Sequence, residues 1–120
     1  MKKILFIVFI SILVMGCSAQ STPDVKLTGN TKKITMTAKQ WEFLPPAIEV
    51  NHGDTVELTI KSIDVTHGIL IPEFGINERL EPQKEVVINF IADKKGEFDF
   101  FCSTPCGRGH RDMRGLLIVN

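Results

Sequence analysis

The sequence has no apolar run long enough to cross a bilayer. Its longest, residues 4–15, is twelve residues interrupted only by Ser11, whereas a spanning helix needs roughly 20. Charge is not in excess either. Lys and Arg number 14 and Asp and Glu number 14 in 120 residues. No basic stripe of the kind that binds nucleic acid is present, so no nucleic-acid partner is expected. Beyond residue 20 no segment carries the apolar i, i+3, i+4 period of a helix, and nothing repeats at solenoid spacing. Cysteine is scarce and odd in number: Cys17, Cys102 and Cys106. An odd count in an exported chain calls for an explanation other than simple pairing. The length is room for one domain.

What is present begins with a processing signal. Lys2 and Lys3 precede the short apolar run, which has the length of a signal-peptide core. Val14-Met15-Gly16-Cys17 then resembles a bacterial lipobox, in which the chain is cut before the Cys and that Cys is lipidated. The expectation is a signal peptide over residues 1–16 and lipidation at Cys17. Ordinary cleavage near Ala19, without lipid, is the alternative. Residues 17–32 are polar and rich in Ser, Thr, Gly and Asn, which reads as a flexible tether. Fifteen extended residues reach about 50 Å. The processed chain carries 12 basic and 14 acidic side chains. It is expected to be an exported bacterial lipoprotein, with its domain in the periplasm or on the outer cell surface.

From residue 33 the pattern is β. Ile34, Met36 and Ala38 alternate with threonines, Val56, Leu58 and Ile60 with Glu57, Thr59 and Lys61, and Val86, Ile88 and Phe90 with Val87, Asn89 and Ile91. Residues 47–50, 65–71, 98–100 and 116–119 read as further strands. Turn signals separate them at Asn51-His52-Gly53-Asp54, Pro72, Asp93-Lys94-Lys95-Gly96 and Cys106-Gly107-Arg108-Gly109. Several short strands at this spacing predict an all-β, Greek-key β-sandwich over residues 33–120.

Chemistry concentrates in Cys102-Ser103-Thr104-Pro105-Cys106-Gly107-Arg108-Gly109-His110-Arg111-Asp112-Met113. Four potential ligands, Cys102, Cys106, His110 and Met113, fall within twelve residues. Thiolate and thioether select copper, zinc or iron–sulfur, and imidazole suits copper and zinc. Methionine is foreign to structural zinc sites. Gly107 and Gly109 are expected to let the loop turn back on itself. The loop lies between two predicted strands, at one end of the sandwich. A fifth ligand must come from elsewhere, and His67, in an interrupted strand before Gly68, is the candidate. In the metal-free state Cys102 and Cys106 could instead form a disulfide. His52 reads as an exposed turn residue and Trp41 as core or rim. Phe74, Phe98, Phe100 and Phe101 read as packing that keeps water from the site.

The Cys-x3-Cys-x3-His-x2-Met spacing resembles the CuA (dinuclear copper) cupredoxin domain of cytochrome c oxidase subunit II and nitrous oxide reductase. The resemblance covers about residues 35–120. It includes Gln40-Trp41-Glu42-Phe43, Gly53-Asp54-Thr55-Val56, Asp64-Val65-Thr66-His67-Gly68, Pro72-Glu73-Phe74-Gly75 and Met113-Arg114-Gly115. It implies two copper ions bridged by the sulfurs of Cys102 and Cys106, with His67 and His110 each binding one. Met113 and the backbone carbonyl of Thr104 would be weak ligands. Thr104 stands where many relatives have Glu.

The implied function is one-electron transfer from a c-type cytochrome or similar donor to a terminal oxidase or reductase, with no catalytic site and no small-molecule substrate of its own. The alternative is copper storage or delivery to an oxidase. A mononuclear blue-copper site uses one Cys, two His and a weak Met, so the second Cys speaks against it. Arg108, Arg111 and Arg114 could dock an acidic partner or simply solvate the loop.

Overall fold

The computed structural model describes residues 26–120. The expected signal peptide (1–16), the lipidation site Cys17 and the tether up to residue 25 lie outside the described residues. Nine strands follow in chain order: Thr31–Lys39 (β1), Glu42–Leu44 (β2), Ala47–Val50 (β3), Thr55–Ser62 (β4), His67–Ile71 (β5), Ile76–Leu80 (β6), Glu85–Ile91 (β7), Gly96–Phe101 (β8) and Arg114–Val119 (β9). Two single 3-10 turns, Pro72–Phe74 and His110–Asp112, interrupt them. Among the described residues no helix is long and apolar enough to cross a membrane.

The strands form two facing sheets, ordered β2-β1-β4-β7 and β3-β9-β8-β5-β6. β4 shows how the sequence builds them. Its burial alternates strictly, with Val56, Leu58, Ile60 and Ser62 inward, because successive side chains of a strand point to opposite faces. β4 pairs in parallel with β1 and antiparallel with β7, so Met36, Ala38 and Ile88 share its inner face. The second sheet answers with Ile69, Ile71, Phe100, Leu117 and Val119. Phe43 and Phe100 meet across the gap edge to face, 5.2 Å between centroids, a favoured aromatic geometry. The parallel β1–β4 and β3–β9 pairings join strands far apart in the chain and give the sandwich its crossed connections. The all-β sandwich read from the sequence is the observed fold.

The two ends differ. At one pole β1 runs into Gln40 and Trp41, β4 into residues 63–66, and β8 into the loop over residues 102–113, while β5 begins at His67. At the other lie the 51–54 turn, residues 92–95 and the C-terminus. The chain arrives at this second pole. β1 begins at Thr31, ahead of the expected boundary at 33, and the residues before it are already bound. Thr28 N–H donates to Gly53 O at 3.2 Å, Thr28 Oγ1 to Asp54 Oδ1 at 2.8 Å, and Thr55 N–H to Asn30 O at 3.0 Å. Thr31, Lys32 and Lys33 are exposed. Pairing with β4, rather than any apolar period, makes them strand, which is why the sequence pattern starts later than the structure.

Candidate metal centre

The loop is tied at its neck, where Cys102 N–H donates to Met113 O at 3.0 Å. Within it, the donor atoms form a continuous series. Cys102 Sγ lies 3.6 Å from Cys106 Sγ. On one side Cys102 Sγ contacts His67 Nδ1 at 3.8 Å and Thr104 O at 3.2 Å. On the other, Cys106 Sγ contacts His110 Nδ1 at 3.6 Å and Met113 Sδ at 3.9 Å. Both cysteines are free thiols. The ligand atoms of His67, Cys102 and Cys106 all fall within 4.8 Å of one another. His67, Cys102, Cys106 and Met113 are buried, and His110 is half-buried.

Three devices hold the donors in place. Gly68 lets the loop lie directly on β5, since a Cβ there would sit 2.2 Å from Ser103 Oγ. Gly107 takes φ +124°, the left-handed side that favours glycine. Gly109 has a different reason from the one its sequence position implied. Its φ of −91° is ordinary, and what it provides is space, because a Cβ would lie 2.6 Å from the Trp41 ring. Trp41 Nε1 and Gln40 Nε2 both donate to Cys106 O, at 3.1 and 2.8 Å. The β1–β2 turn thus clamps the loop from outside. Trp41 is 41% exposed and belongs to the rim.

Asp64 is the residue whose role the sequence did not disclose. Its carboxylate accepts from Gln40 N–H at 2.7 Å, Val65 N–H at 2.6 Å and His67 Nε2–H at 2.7 Å. The hydrogen bond to Nε2 fixes the imidazole so that Nδ1 turns its lone pair toward Cys102. Partial burial pushes the carboxyl up, but the two backbone donors and His67 outweigh it and hold Asp64 below its ordinary value. Burial also pushes the Cys106 thiol up, and the adjacent Cys102 and the Asp64 charge add to it, to about 12 from 9.0. Without a cation nearby this thiol stays protonated. A bound metal is what would favour its thiolate.

The aromatic expectation is corrected in part. Phe100 lies two residues before Cys102 in the inner core, and Phe101 is half-buried with the Arg114 guanidinium 5.6 Å from its ring centroid. Phe74 and Phe98 instead pack on each other and Phe74 on Phe90, at 5.3 and 5.2 Å, toward the opposite pole. The run from β5 through Pro72 carries Phe74 away from His67 by the length of a strand. His52 lies in the turn at that far pole, its Nε2 3.2 Å from Asp93 O.

The residues fit a soft, closed metal site. Two thiols, two imidazoles, a thioether and a carbonyl converge, no carboxylate takes part directly, and such a set suits copper. Related proteins carry similar sequences. Nitrous-oxide reductase of Ralstonia nicotianae is 34% identical over 108 residues, covering 82% of this chain and 17% of its own length. The chain therefore spans about a sixth of that relative. Cytochrome c oxidase subunit 2 of Thermus thermophilus is 30% identical over 105 residues, covering 87% of this chain and 78% of its own. Among solved structures, a chain of a heme-copper terminal oxidase dimer superposes with a TM-score of 0.69 at 27% identity, covering 88% of this chain and 78% of that one. Residues 5–119 match the cupredoxin-like domain, and the chain belongs to that family.

Proposed function

We propose that this chain transfers single electrons through a dinuclear copper centre. The carrying observation is the paired order of the donors: two thiols in contact, each flanked by an imidazole nitrogen and one further donor. Cys102 and Cys106 would bridge two copper ions, with His67 and His110 as terminal ligands and Met113 and the Thr104 carbonyl as weak ones. When bound, the copper pair supplies a one-electron couple spread over both metals and both sulfurs.

The chain's residues do the rest. Asp64 keeps His67 in one orientation. Gln40 and Trp41 hold the Cys106 carbonyl, and the Cys102–Met113 backbone bond closes the loop, so a change of charge meets a site that is already fixed. Buried Met113 and Phe100 exclude water. Every converging donor has a ligand's role, leaving no position for a substrate, in contrast to catalytic metal sites with one place open. On this reading the chain has no catalytic site of its own. Its donor is a c-type cytochrome or similar protein, and its acceptor a terminal oxidase or reductase. The relatives' names support that class of partner. Export by residues 1–16, a lipid anchor at Cys17 in a periplasmic or outer-surface setting, and a free tether ahead of the domain belong to the same proposal.

The test is an EPR spectrum with copper quantitation on the copper-loaded chain. Two coppers per chain sharing one unpaired electron are expected. One copper with a single-nucleus signal would replace this reading with a blue-copper one. EPR-silent Cu(I) that a chelator strips readily would replace it with storage or delivery.

A further inference from the structure

Around the half-buried His110 the metal pole presents an unusual surface. Trp41, Ile63 and Val65 are 41%, 45% and 37% exposed, and they flank the Gln40–Asp64 contact that braces the site. Arg108, Arg111 and Arg114 are all exposed on the ligand loop and its exit. Among the described residues none of the three pairs with a carboxylate. Arg114 Nη2 donates to the Arg111 carbonyl, and its guanidinium lies over the Phe101 ring.

Two acids at this pole are already engaged. Glu42 pairs with Lys39 at 3.0 Å, and Asp64 is bound by three donors. Residues 102–114 hold three arginines against one acid, Asp112, in a chain whose residues 17–120 are net acidic. Charge is thus separated, with the excess of positive charge gathered where the donors lie. An apolar centre containing Trp, rimmed by Arg, is the composition of a protein-docking patch.

We infer that the Trp41/Val65 patch with its Arg108–Arg111–Arg114 rim docks a redox protein whose contact face is acidic. The inference rests on the electron-transfer reading for the partner's kind, and its own content is a binding contact in which no bond changes. Charge complementarity selects the partner. A basic-faced protein would meet three exposed guanidinium groups that form no ion pair among the described residues, and like charges brought together oppose association. A membrane is the less favoured occupant, because the chain arrives at the opposite pole, at Thr28 and Gly53. A tether from residue 17 therefore joins the domain at the end away from this patch.

The experiment uses the full copper-loaded chain in detergent, with both proteins oxidised so that binding is read without electron transfer. The probes are an acidic c-type cytochrome, a basic one, and phosphatidylglycerol vesicles. Affinity is followed by calorimetry, and the contact surface by NMR. The acidic cytochrome is expected to bind, with affinity falling about tenfold or more between about 0.02 M and about 0.2 M salt. Arg108→Glu with Arg111→Glu should weaken it by a similar factor, and the Gln pair by less. Ile63→Asp should weaken it as well, with copper content and spectrum unchanged in all three.

Tighter binding of the basic cytochrome, indifference to salt and to the charge reversals, or vesicle binding with neither cytochrome bound would each overturn the inference. Failure of the electron-transfer reading looks different. The complex would still form, but the EPR experiment would find no shared electron.

Discussion

β4 ends in a carboxylate at each pole, and the two are used differently. Asp54, just before the strand, is 3% exposed and accepts from Asn51 N–H at 3.0 Å and Thr28 Oγ1 at 2.8 Å. Both partners are structural, closing a turn and fastening the incoming chain. Asp64, just past the other end, keeps about a third of its side chain exposed. It shares its oxygens among two backbone donors and an imidazole. The same chemical group serves as a rivet where it meets only backbone and hydroxyl, and as a positioning residue where one of its donors is a candidate ligand. Stability should therefore be sensitive at the first pole and the electronic properties of the site at the second.

That contrast can be broken in several ways. The largest effect is expected at the metal pole itself. Cys102→Ser or Cys106→Ser should abolish the two-copper EPR signal, and retention of the unaltered signal in either would refute the bridging assignment. Next, Asp54→Ala leaves the Asn51 and Thr28 donors without their acceptor. It should cost about 1–3 kcal/mol in denaturant unfolding while the copper spectrum stays the same. A changed spectrum would mean that the poles are coupled.

The third test uses pH on the metal-free chain. The Cys106 thiol is raised in the folded protein to about 12 from 9.0, so folding favours the protonated form. Stability from this group is complete below pH about 9 and is lost as pH rises toward about 12. In the copper-loaded chain the thiol proton is already displaced, so the alkaline loss should shrink. Thermal unfolding across that range measures both.

Smaller effects follow. Asp64→Asn should leave copper content intact and change stability by less than about 1 kcal/mol. It should raise the reduction potential, because His67 loses the carboxylate that makes it a stronger base. Met113→Leu conserves volume and should cost under about 1.5 kcal/mol, with the centre retained and its potential shifted. Equal potentials before and after both substitutions would remove the electronic distinction between the poles.

Much of this was legible in the sequence, and the gaps have local causes. β4 and β7 alternate cleanly because each has one buried face. β2 was missed because it is three residues long and contributes a single inward side chain, Phe43. β6 was missed because Asn77, Glu78 and Arg79 are all exposed and only its ends turn inward. The donor-rich loop announced itself because four of its members are close in sequence. Gln40 did not, since its contacts with Asp64 and Cys106 span 24 and 66 residues that only the sheets bring together. Asp64, although three residues from His67 in a noticed motif, gives no sign in its spacing that its carboxylate meets the ring. Trp41 lay in a noticed motif, but its hold on Cys106 depends on a loop from the facing sheet.

The place where the chain joins the sandwich also has a mechanical side. β1 lies parallel to β4 with eight residues in register, from Thr31 opposite Thr55 to Ala38 opposite Ser62. A pull on the segment ahead of Thr28 runs along that strand. It first strains the Thr28 bonds to Gly53 and Asp54, then loads the β1–β4 ladder in shear, where the bonds must yield together instead of unzipping one by one. Force applied ahead of Thr28 is thus absorbed at the far end of the molecule, about 25 Å of strand from the sulfurs, and the donor loop is the part least exposed to it.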